Sequence, residues 1–206
     1  MPFALDLVRQ QWQRKIIVWI AVMLGIALLM ASAPMSDEDA LWHETVERLG
    51  VFFIVVGVIG RTWCSMYIGG SKLKRLVTEG PYSMTRNPLY VFSTIAAFGL
   101  GAQLGSLVFA LLCAAATIAI FLLVISHEER ALAQLFHVDY TPYKAEVPRF
   151  IPAFGLWRDA ETIPVRPALV RRTFFDALLF LFAIPLVKGL EGLRELLMTV
   201  PIFRLY

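Results

Sequence analysis

The sequence predicts an all-α fold: a polytopic membrane helix bundle with about five transmembrane helices, one pair forming a tight hairpin. Three observations support this prediction. Of the 206 residues, 58% are hydrophobic and only 17% are charged, whereas soluble domains carry more charge. Apolar stretches approach the roughly 20 residues that a helix needs to cross the hydrocarbon core. Lysine and arginine are also distributed unevenly between the polar connections, which is typical of a membrane protein with a fixed topology.

Five apolar stretches account for the predicted helices. The first could instead be a cleaved signal peptide, because basic residues precede it and small residues end it, but its length and the following Pro34 favour a span. The third stretch is short, and the turn-like Gly99–Ser106 follows it. We therefore expect Leu89–Ser126 to form a helical hairpin. The five predicted spans are Ile16–Ala33, Leu49–Ile68, Leu89–Gly101, Ser106–Ser126 and Phe174–Leu190.

The charges of the connections predict the orientation. Lys and Arg number three in the amino-terminal segment, four in Gly69–Asn87 and seven in His127–Arg172, but one in the acidic Ser32–Arg48. Cytoplasmic loops carry the excess of these residues, so the amino terminus and both long basic segments are predicted to be cytoplasmic. The two segments flank the hairpin and should therefore lie close together. Gly192–Tyr206 could end outside or lie along the interface as an amphipathic helix.

The stretch GPYSMTRNPLY interrupts the apolar pattern before the hairpin. Asn87 and Pro88 have the pattern of a capped helix start. A helix amino terminus beside Arg86 suits an anionic group, and nearby tyrosines could stack on a base or anchor the membrane interface. The alternative is a capped helix with interfacial aromatic residues and a snorkelling arginine. Candidate binding residues in this stretch are Gly80, Pro81, Tyr82, Arg86, Asn87, Pro88 and Tyr90.

The other end of the hairpin carries a second polar cluster. Glu128 and Glu129 stand at the expected end of an apolar helix, where the macrodipole disfavours carboxylates. We therefore expect Arg130, Arg86 or a bound cation to hold them there. The two glutamates are 100° apart on a helix, so only one should face inward. The alternative is a solvated surface cluster. Tyr140 and Tyr143 follow in the same segment.

Arg61 is predicted to lie inside the second span, where it could snorkel to the cytoplasmic end or pair with a glutamate. Cys64 and Cys113 lie in apolar stretches and read as buried structural thiols. Their spacing, and that of the histidines, is not that of a metal site, so no metal is expected. The net charge of +3 is not concentrated on a polar, aromatic-bearing surface, so no nucleic-acid partner is expected.

In order, the motifs resemble the isoprenylcysteine carboxyl methyltransferase and phospholipid methyltransferase superfamily. The resemblance covers roughly residues 72–152 and depends on the ordered set with a hairpin-length gap between its halves. The elements are Gly80-Pro81-Tyr82, Arg86-Asn87-Pro88-Leu89-Tyr90, Glu128-Glu129-Arg130-Ala131-Leu132, Phe136, Tyr140-Thr141-Pro142-Tyr143 and Val147-Pro148.

The resemblance implies a membrane-embedded methyltransferase that uses S-adenosyl-L-methionine at a cytoplasmic-side site and acts on a lipophilic acceptor in the bilayer. It identifies residues 72–152 as the methyltransferase core. The apolar pattern predicts two membrane helices in residues 1–71, and a linker with a membrane or interfacial helix in 153–206. Arg86 and Glu129 are then the candidate catalytic residues. Glu128, Glu129, Tyr140 and Tyr143 join the Gly80–Tyr90 set in binding the cofactor.

Two departures from the family pattern leave the acceptor open. Many relatives have histidine where this chain has Asn87, which cannot titrate near neutral pH. Ile125 stands where carboxyl methyltransferases have an arginine for the substrate's carboxylate, so Arg61 or Arg130 would have to substitute. Prenylcysteine carboxylates, phospholipid amines and small thiols thus remain alternatives. A non-catalytic membrane docking protein is the alternative of another class, while broken mid-span segments typical of transporters are not evident.

Overall fold

A computed structural model of the chain describes residues 32–33, 40–69, 75–196 and 203–204. Two-residue strands, β1 (Ser32–Ala33) and β2 (Phe203–Arg204), pair in parallel. Apart from this pair the described residues form helices and connections, as the sequence predicts. The helices are α1 (Ala40–Ile68), α2 (Pro81–Met84), α3 (Pro88–Ala102), α4 (Leu107–Leu135), α5 (His137–Glu146) and α6 (Pro167–Leu196), with a 3-10 turn at Phe154–Leu156.

The chain divides into two compact units. One consists of Asp39–Leu186, and the other of Met1–Glu38 with Val187–Tyr206. In the second unit, the described residues outside the end of α6 are those of the strand pair. The candidate site lies entirely within the first unit.

Two of the described helices are long and apolar enough to cross a membrane: α1 from Leu41 to Ile68, and α4. They correspond to the second and fourth predicted spans. Leucines of α4 such as Leu111 and Leu123 are 62% and 68% exposed, as expected of side chains that face lipid. α3 is a shorter apolar helix at the third predicted span.

The remaining predicted spans are not tested as membrane crossings. The fifth, Phe174–Leu190, lies within α6. The first, Ile16–Ala33, lies outside the described residues except for β1. The count of five therefore stays a prediction.

One helix boundary corrects the sequence analysis. α4 does not end at Ser126 but continues to Leu135, because the charged residues that follow are good helix formers. Glu128 and Glu129 therefore lie within a helix, more than a turn before its end. The prediction that the macrodipole disfavours these two carboxylates was wrong, since that effect falls off within the last turn of a helix.

The predicted hairpin is confirmed. α3 and α4 are joined by Gln103–Ser106, in which Gly105 has a φ of 68°, a conformation that glycine adopts without strain. The Ser106 hydroxyl accepts a hydrogen bond from the Phe109 amide at 3.4 Å and so caps α4. The fold thereby returns the chain to the level at which α3 begins.

Glycine also lets α3 pack closely on α1. A Cβ atom at Gly99 would lie 2.6 Å from the Gly50 carbonyl oxygen, so a side chain there would force the helices apart. Membrane helices often associate through small residues in this way. This contact fixes α3 against α1, and with it the segment before α3 that carries Arg86.

After α5 the chain crosses back over α2. The Arg86 amide donates to the Pro148 carbonyl oxygen at 2.9 Å, and the Ala153 amide donates to the Met84 carbonyl oxygen at 2.9 Å. Farther along, the Gly80 amide donates to the Arg158 carbonyl oxygen at 2.7 Å. The segments before and after the hairpin are therefore held together, as predicted.

Candidate functional site

The Glu129 carboxylate is the centre of the candidate site. Glu129 is only 5% exposed, although it lies on a helix that carries many exposed leucines. Arg86 Nε lies 3.0 Å from Oε1, and Arg149 Nη2 and Nε lie 2.6 and 3.2 Å from Oε2. Three chain segments thus converge on one carboxylate: α4, the segment before α3 and the segment after α5.

Backbone contacts position the Arg86 side chain. Besides contacting Glu129, its Nη1 donates to the Lys144 carbonyl oxygen at 2.6 Å, near the end of α5. The side chain is 10% exposed. A buried guanidinium is stable only if its donors are paired, and α5 supplies the second acceptor. The predicted proximity of Arg86 and the acidic pair is therefore observed directly.

Asn87 corrects a prediction about the start of α3. It occupies the capping position and Pro88 is the first helical residue, but the Asn87 side chain makes no capping hydrogen bond. Its Nδ2 instead donates to the Arg149 carbonyl oxygen at 3.0 Å and, at 3.5 Å, to Glu129 Oε1. The side-chain amide therefore serves as a donor to these two acceptors, and its oxygen does not cap the first turn of α3.

Glu128 and Glu129 face different neighbours, as their angular offset predicts. Glu128 is half-buried, and the Tyr90 hydroxyl donates to its Oε2 at 2.9 Å. The Tyr90 ring packs on Phe121, with ring centroids 4.6 Å apart. Glu128 therefore forms a second acidic position beside the Glu129 cluster.

Three buried tyrosines lie in the segments that converge on the Glu129 cluster. The Tyr143 hydroxyl donates to the Tyr82 carbonyl oxygen at 2.8 Å, while the buried hydroxyls of Tyr82 and Tyr140 have no hydrogen-bond partner in the described part of the chain. Burial raises the pKa of Tyr140 to about 12 and also raises the pKa values of Tyr82 and Tyr143. All three are therefore neutral near pH 7, and two have a hydroxyl whose hydrogen-bonding capacity is unused.

Positive charge exceeds negative charge in this cluster, because two guanidiniums face one buried carboxylate. Hydrogen bonding to Glu129 raises the pKa of Arg149, so its charge is fixed. The Arg149 side chain is 40% exposed and could move without disrupting buried packing.

A groove of about 190 Å³ lies beside α5, lined by Thr78, Ser83, Pro142, Tyr143, Glu146, Val147 and Arg158.

Two sequence-predicted arginines lie away from the cluster. Arg61 donates to the Ser93 hydroxyl on α3, and of the two alternatives, snorkelling or pairing with a glutamate, the second is not observed among the described residues. Arg130 is exposed and its Nε donates to the Ser126 carbonyl oxygen at 3.0 Å on its own helix. Arg130 therefore does not hold the glutamates.

Arg149 is a candidate site residue that the sequence did not single out. It directly follows Val147-Pro148, which belongs to the motif set. That position was the available signal, but a single arginine in a basic segment is not distinctive without the fold. The other predicted residues, from Gly80 to Tyr90 and Tyr140 to Tyr143, lie in the segments that converge on this region.

Comparisons with known proteins give one family match and two relatives. Residues 40–139 match the family model described as phospholipid methyltransferase. The chain is 30% identical over 183 residues to the nickel-cobalt-cadmium resistance protein NccN of Alcaligenes xylosoxydans xylosoxydans, covering 89% of this chain and 85% of that protein. It is 37% identical over 147 residues to the cobalt-zinc-cadmium resistance protein CzcN of Cupriavidus metallidurans, covering 71% and 68%. No solved structure matches the chain.

Within the described residues, no group of three or more His, Cys, Asp or Glu side chains is placed to hold a metal ion.

The family model covers α1, the hairpin and the start of α5, and thus includes Arg86 and Glu129. The matched sequence, the apolar helices and the site geometry lead to one conclusion: the chain belongs to the phospholipid methyltransferase family, within the superfamily of membrane methyltransferases that includes the isoprenylcysteine carboxyl methyltransferases.

Proposed function

We propose that this protein is an integral-membrane methyltransferase that transfers a methyl group from S-adenosyl-L-methionine to a lipophilic acceptor, in the manner of isoprenylcysteine carboxyl methyltransferases. The observation that carries the proposal is the contact between Arg86 and Glu129 at 3.0 Å. It unites the two halves of the family's motif set in one buried cluster.

The residues of the cluster fit the amino-acid end of the cofactor. That end carries a carboxylate and an ammonium group on the same carbon, and the cluster offers guanidiniums and a carboxylate side by side. Glu129 would accept from the ammonium, while Arg86 and Arg149 would bind the carboxylate in charge-assisted hydrogen bonds. The intramolecular ion pairs would then be exchanged for equivalent pairs with the ligand.

The remaining candidate residues would surround the rest of the molecule. Tyr82, Tyr140 and Tyr143 are buried aromatic residues against which a purine would lie, and the hydroxyls of Tyr82 and Tyr140 have no partner among the described residues. The hydrogen-bonded pair of Tyr90 and Glu128 would contact the cofactor beside the start of α3. The backbone turns that place these side chains involve Gly80, Pro81, Asn87 and Pro88.

When bound, S-adenosyl-L-methionine supplies a methyl group on a positively charged sulfur, which needs no covalent activation by the protein. The chain's own contribution is alignment of the two reactants. The three buried tyrosines would exclude water from the bound cofactor, and the Glu129 cluster would fix the cofactor's orientation. Asn87 hydrogen-bonds but does not titrate, so no proton transfer is assigned to it.

We further propose the topology that the charge distribution predicts: five spans, with the amino terminus and the site cytoplasmic, in the inner or plasma membrane. Residues 1–71 would form the two amino-terminal membrane helices, 72–152 the methyltransferase core, and 153–206 a linker with a carboxyl-terminal membrane or interfacial helix. The acceptor would then enter from the bilayer, while the cofactor enters from the cytoplasm. Single cysteines introduced into the connections can test this orientation with a thiol reagent that does not cross the membrane. Labelling of cysteines in residues 75–87 from outside the cell would contradict the proposal.

Other acceptors within the superfamily, a phospholipid amine or a small thiol, fit the same cluster. The resistance to nickel, cobalt, zinc or cadmium in the names of the two relatives suggests a setting in which to look for the acceptor. Methylated membrane components could be compared by mass spectrometry between cells expressing the wild type and Glu129→Gln, with and without cobalt.

Calorimetry with S-adenosylhomocysteine tests the proposal directly. The purified full chain in detergent should bind it with micromolar affinity, and both Arg86→Ala and Glu129→Ala should weaken binding by at least about tenfold, the equivalent of one lost charge contact. Arg48→Ala, which removes an exposed arginine paired with Glu44 on α1, is the matched control. A well-folded wild type that binds none of it in several lipid environments would favour the docking-protein alternative.

A further inference from the structure

The connection between α5 and α6 contains a segment with exposed apolar side chains. This segment, residues 150–157, directly follows Arg149 and includes the 3-10 turn. It contains no charged residue. Ile151 is 81% exposed, Phe154 76% and Trp157 43%. Scattered apolar residues are normal on a surface that faces water, but three large ones so close together in the chain mark a surface that contacts something else.

A contact with α1 gives the level of segment 150–157. The Trp157 ring stacks on the Trp63 ring, with centroids 5.7 Å apart. Trp63 belongs to the membrane-length part of α1, Leu41–Ile68, and lies five residues, about 7 Å, before the end of that helix. The Trp157 end of the segment is therefore packed beside the last turns of a helix that is long and apolar enough to cross the membrane.

The residues after Trp157 mark the boundary between apolar and polar surroundings. The Tyr67 hydroxyl, in the last turn of α1, donates to Asp159 Oδ1 at 2.8 Å, and Ile163 packs against the cluster that contains Tyr67. A tyrosine and two tryptophans thus lie together at this end of α1. Tyrosine and tryptophan are enriched where a membrane meets water, so this is the expected position of that boundary.

The charges that follow the segment fit the same position. Arg166, Arg171 and Arg172 are exposed, and the last two lie in the first two turns of α6. Across residues 158–172 there are four arginines but only two acidic residues. Arginines beside a membrane keep their charged ends in the headgroup layer, where anionic lipids attract them.

We propose that segment 150–157 inserts into the lipid leaflet that borders the candidate site, with Ile151 and Phe154 among the acyl chains and Trp157 at the headgroup level. The segment is then a membrane anchor rather than a connection surrounded by water. Its partner is the bilayer itself, not a bound substrate. The inference depends on α1 crossing the membrane, but it does not depend on methyl transfer.

Backbone hydrogen bonds connect this anchor with the Glu129 cluster. The Ala153 amide donates to the Met84 carbonyl oxygen at 2.9 Å, and the Thr85 hydroxyl donates to the Arg149 carbonyl oxygen at 3.2 Å. Arg149 itself contacts Glu129 at 2.6 Å. Because Arg149 immediately precedes the segment, lipid that holds the anchor also restrains the backbone from which the Arg149 side chain reaches Glu129.

Spin labels on single cysteines test the insertion. The full chain carrying Cys113→Ala is reconstituted into liposomes that contain anionic phospholipid, and labels are attached through Phe154→Cys, Leu123→Cys or Ala145→Cys. Leu123 is exposed on the membrane-length α4 and gives the lipid reference, while Ala145 is exposed on α5 and gives the aqueous reference. Cys64 is buried and is kept, and the protein without an introduced cysteine gives the background.

Collisions of the labels with oxygen, which concentrates in lipid, and with a water-soluble nickel chelate distinguish the two environments. The label at Phe154 should collide more with oxygen than with the chelate, as at Leu123, whereas the label at Ala145 should show the reverse order. A label at Phe154 that behaves like the one at Ala145 would overturn the proposal. Protection from both reagents would overturn it too, because the segment would then be covered by protein, such as a second copy of the chain.

A second measurement uses the protein without labels. Phospholipids with bromine near the headgroup end of the acyl chain quench the fluorescence of tryptophans that they contact. Trp157→Phe, which keeps an aromatic ring against Trp63, should reduce this quenching relative to the wild type. Quenching that is unchanged in Trp157→Phe would contradict the proposed level of Trp157. Neither measurement involves S-adenosylhomocysteine, so the outcome is independent of the methyltransferase proposal.

Discussion

Glu129 is a buried charge in the helix bundle and Arg61 is a half-buried one, and their hydrogen-bond partners differ. Glu129 accepts hydrogen bonds from two arginines and an asparagine. Arg61 donates to one serine hydroxyl, and its buried Nε has no partner in the part of the chain that the structure describes. Buried ions are stable when paired and costly when alone. We therefore expect Glu129 to increase the free energy of unfolding of the protein without ligand, and Arg61 to decrease it.

The difference also bears on the proposed cofactor site. At Glu129 a zwitterion would replace existing ion pairs, so binding would exchange similar interactions. Stability measurements on matched variants can test this contrast without any knowledge of the acceptor.

The largest effect is expected for Glu129→Gln. The change keeps the shape of the side chain but leaves Arg86, only 10% exposed, without a counter-charge. We expect a loss of about 3 kcal/mol in the free energy of unfolding, measured in mixed detergent micelles. Glu128→Gln on the same helix turn, where Tyr90 can still donate to the amide oxygen, should cost less than about 1 kcal/mol. Similar losses in the two variants would show that Glu129 is not the structural centre.

Arg86→Met should be the next most damaging. It removes the contacts to Glu129 at 3.0 Å and to the Lys144 carbonyl oxygen at 2.6 Å, while Arg149 still neutralises the carboxylate. The expected loss in the free energy of unfolding is about 2 kcal/mol, since hydrogen bonds to charged groups are the stronger ones. A double-mutant cycle with Glu129→Gln should show strong coupling. Additive effects would mean that the two side chains act separately.

Asn87→Ala should produce a smaller loss of about 1 kcal/mol, because it leaves the Arg149 carbonyl oxygen without the donor at 3.0 Å. Asn87→Ser tests the capping alternative, since serine is a good capping residue but is too short to replace the amide at this acceptor. If Asn87→Ser recovers full stability, capping of α3 rather than the Arg149 contact is what Asn87 contributes.

Arg61→Met should have the smallest effect on stability. Methionine is unbranched like arginine, and it removes a charge that is partly withdrawn from solvent. Ser93 keeps its hydrogen bond to the Leu89 carbonyl oxygen. We expect the free energy of unfolding to change by less than about 0.5 kcal/mol or to rise. A loss as large as that of Arg86→Met, measured in the same micelles, would erase the distinction between the two arginines.

The sequence predicted the α3–α4 hairpin and its polar contacts correctly, but it misplaced the end of α4. The hairpin followed from apolar length and a glycine-rich turn, and the meeting of Arg86 with Glu129 followed from the hairpin. Pro88 at the first position of α3 was also predicted correctly. The end of α4 was misplaced, because the loss of hydrophobicity at the end of a span was taken as the end of the helix.

Hydrophobic pattern, turn residues and motif order by themselves determined the helical class, two membrane-length helices, the hairpin and the segments that form the candidate site. These features depend on local composition and on short-range spacing along the chain. The tertiary structure alone decided which partners the polar side chains take: Arg149 for Glu129, Ser93 for Arg61, and a carbonyl oxygen in place of a helix cap for Asn87. Long polar side chains can reach many acceptors, so their pairing depends on which segments the packed helices bring within about 3 Å, and sequence spacing does not contain that information.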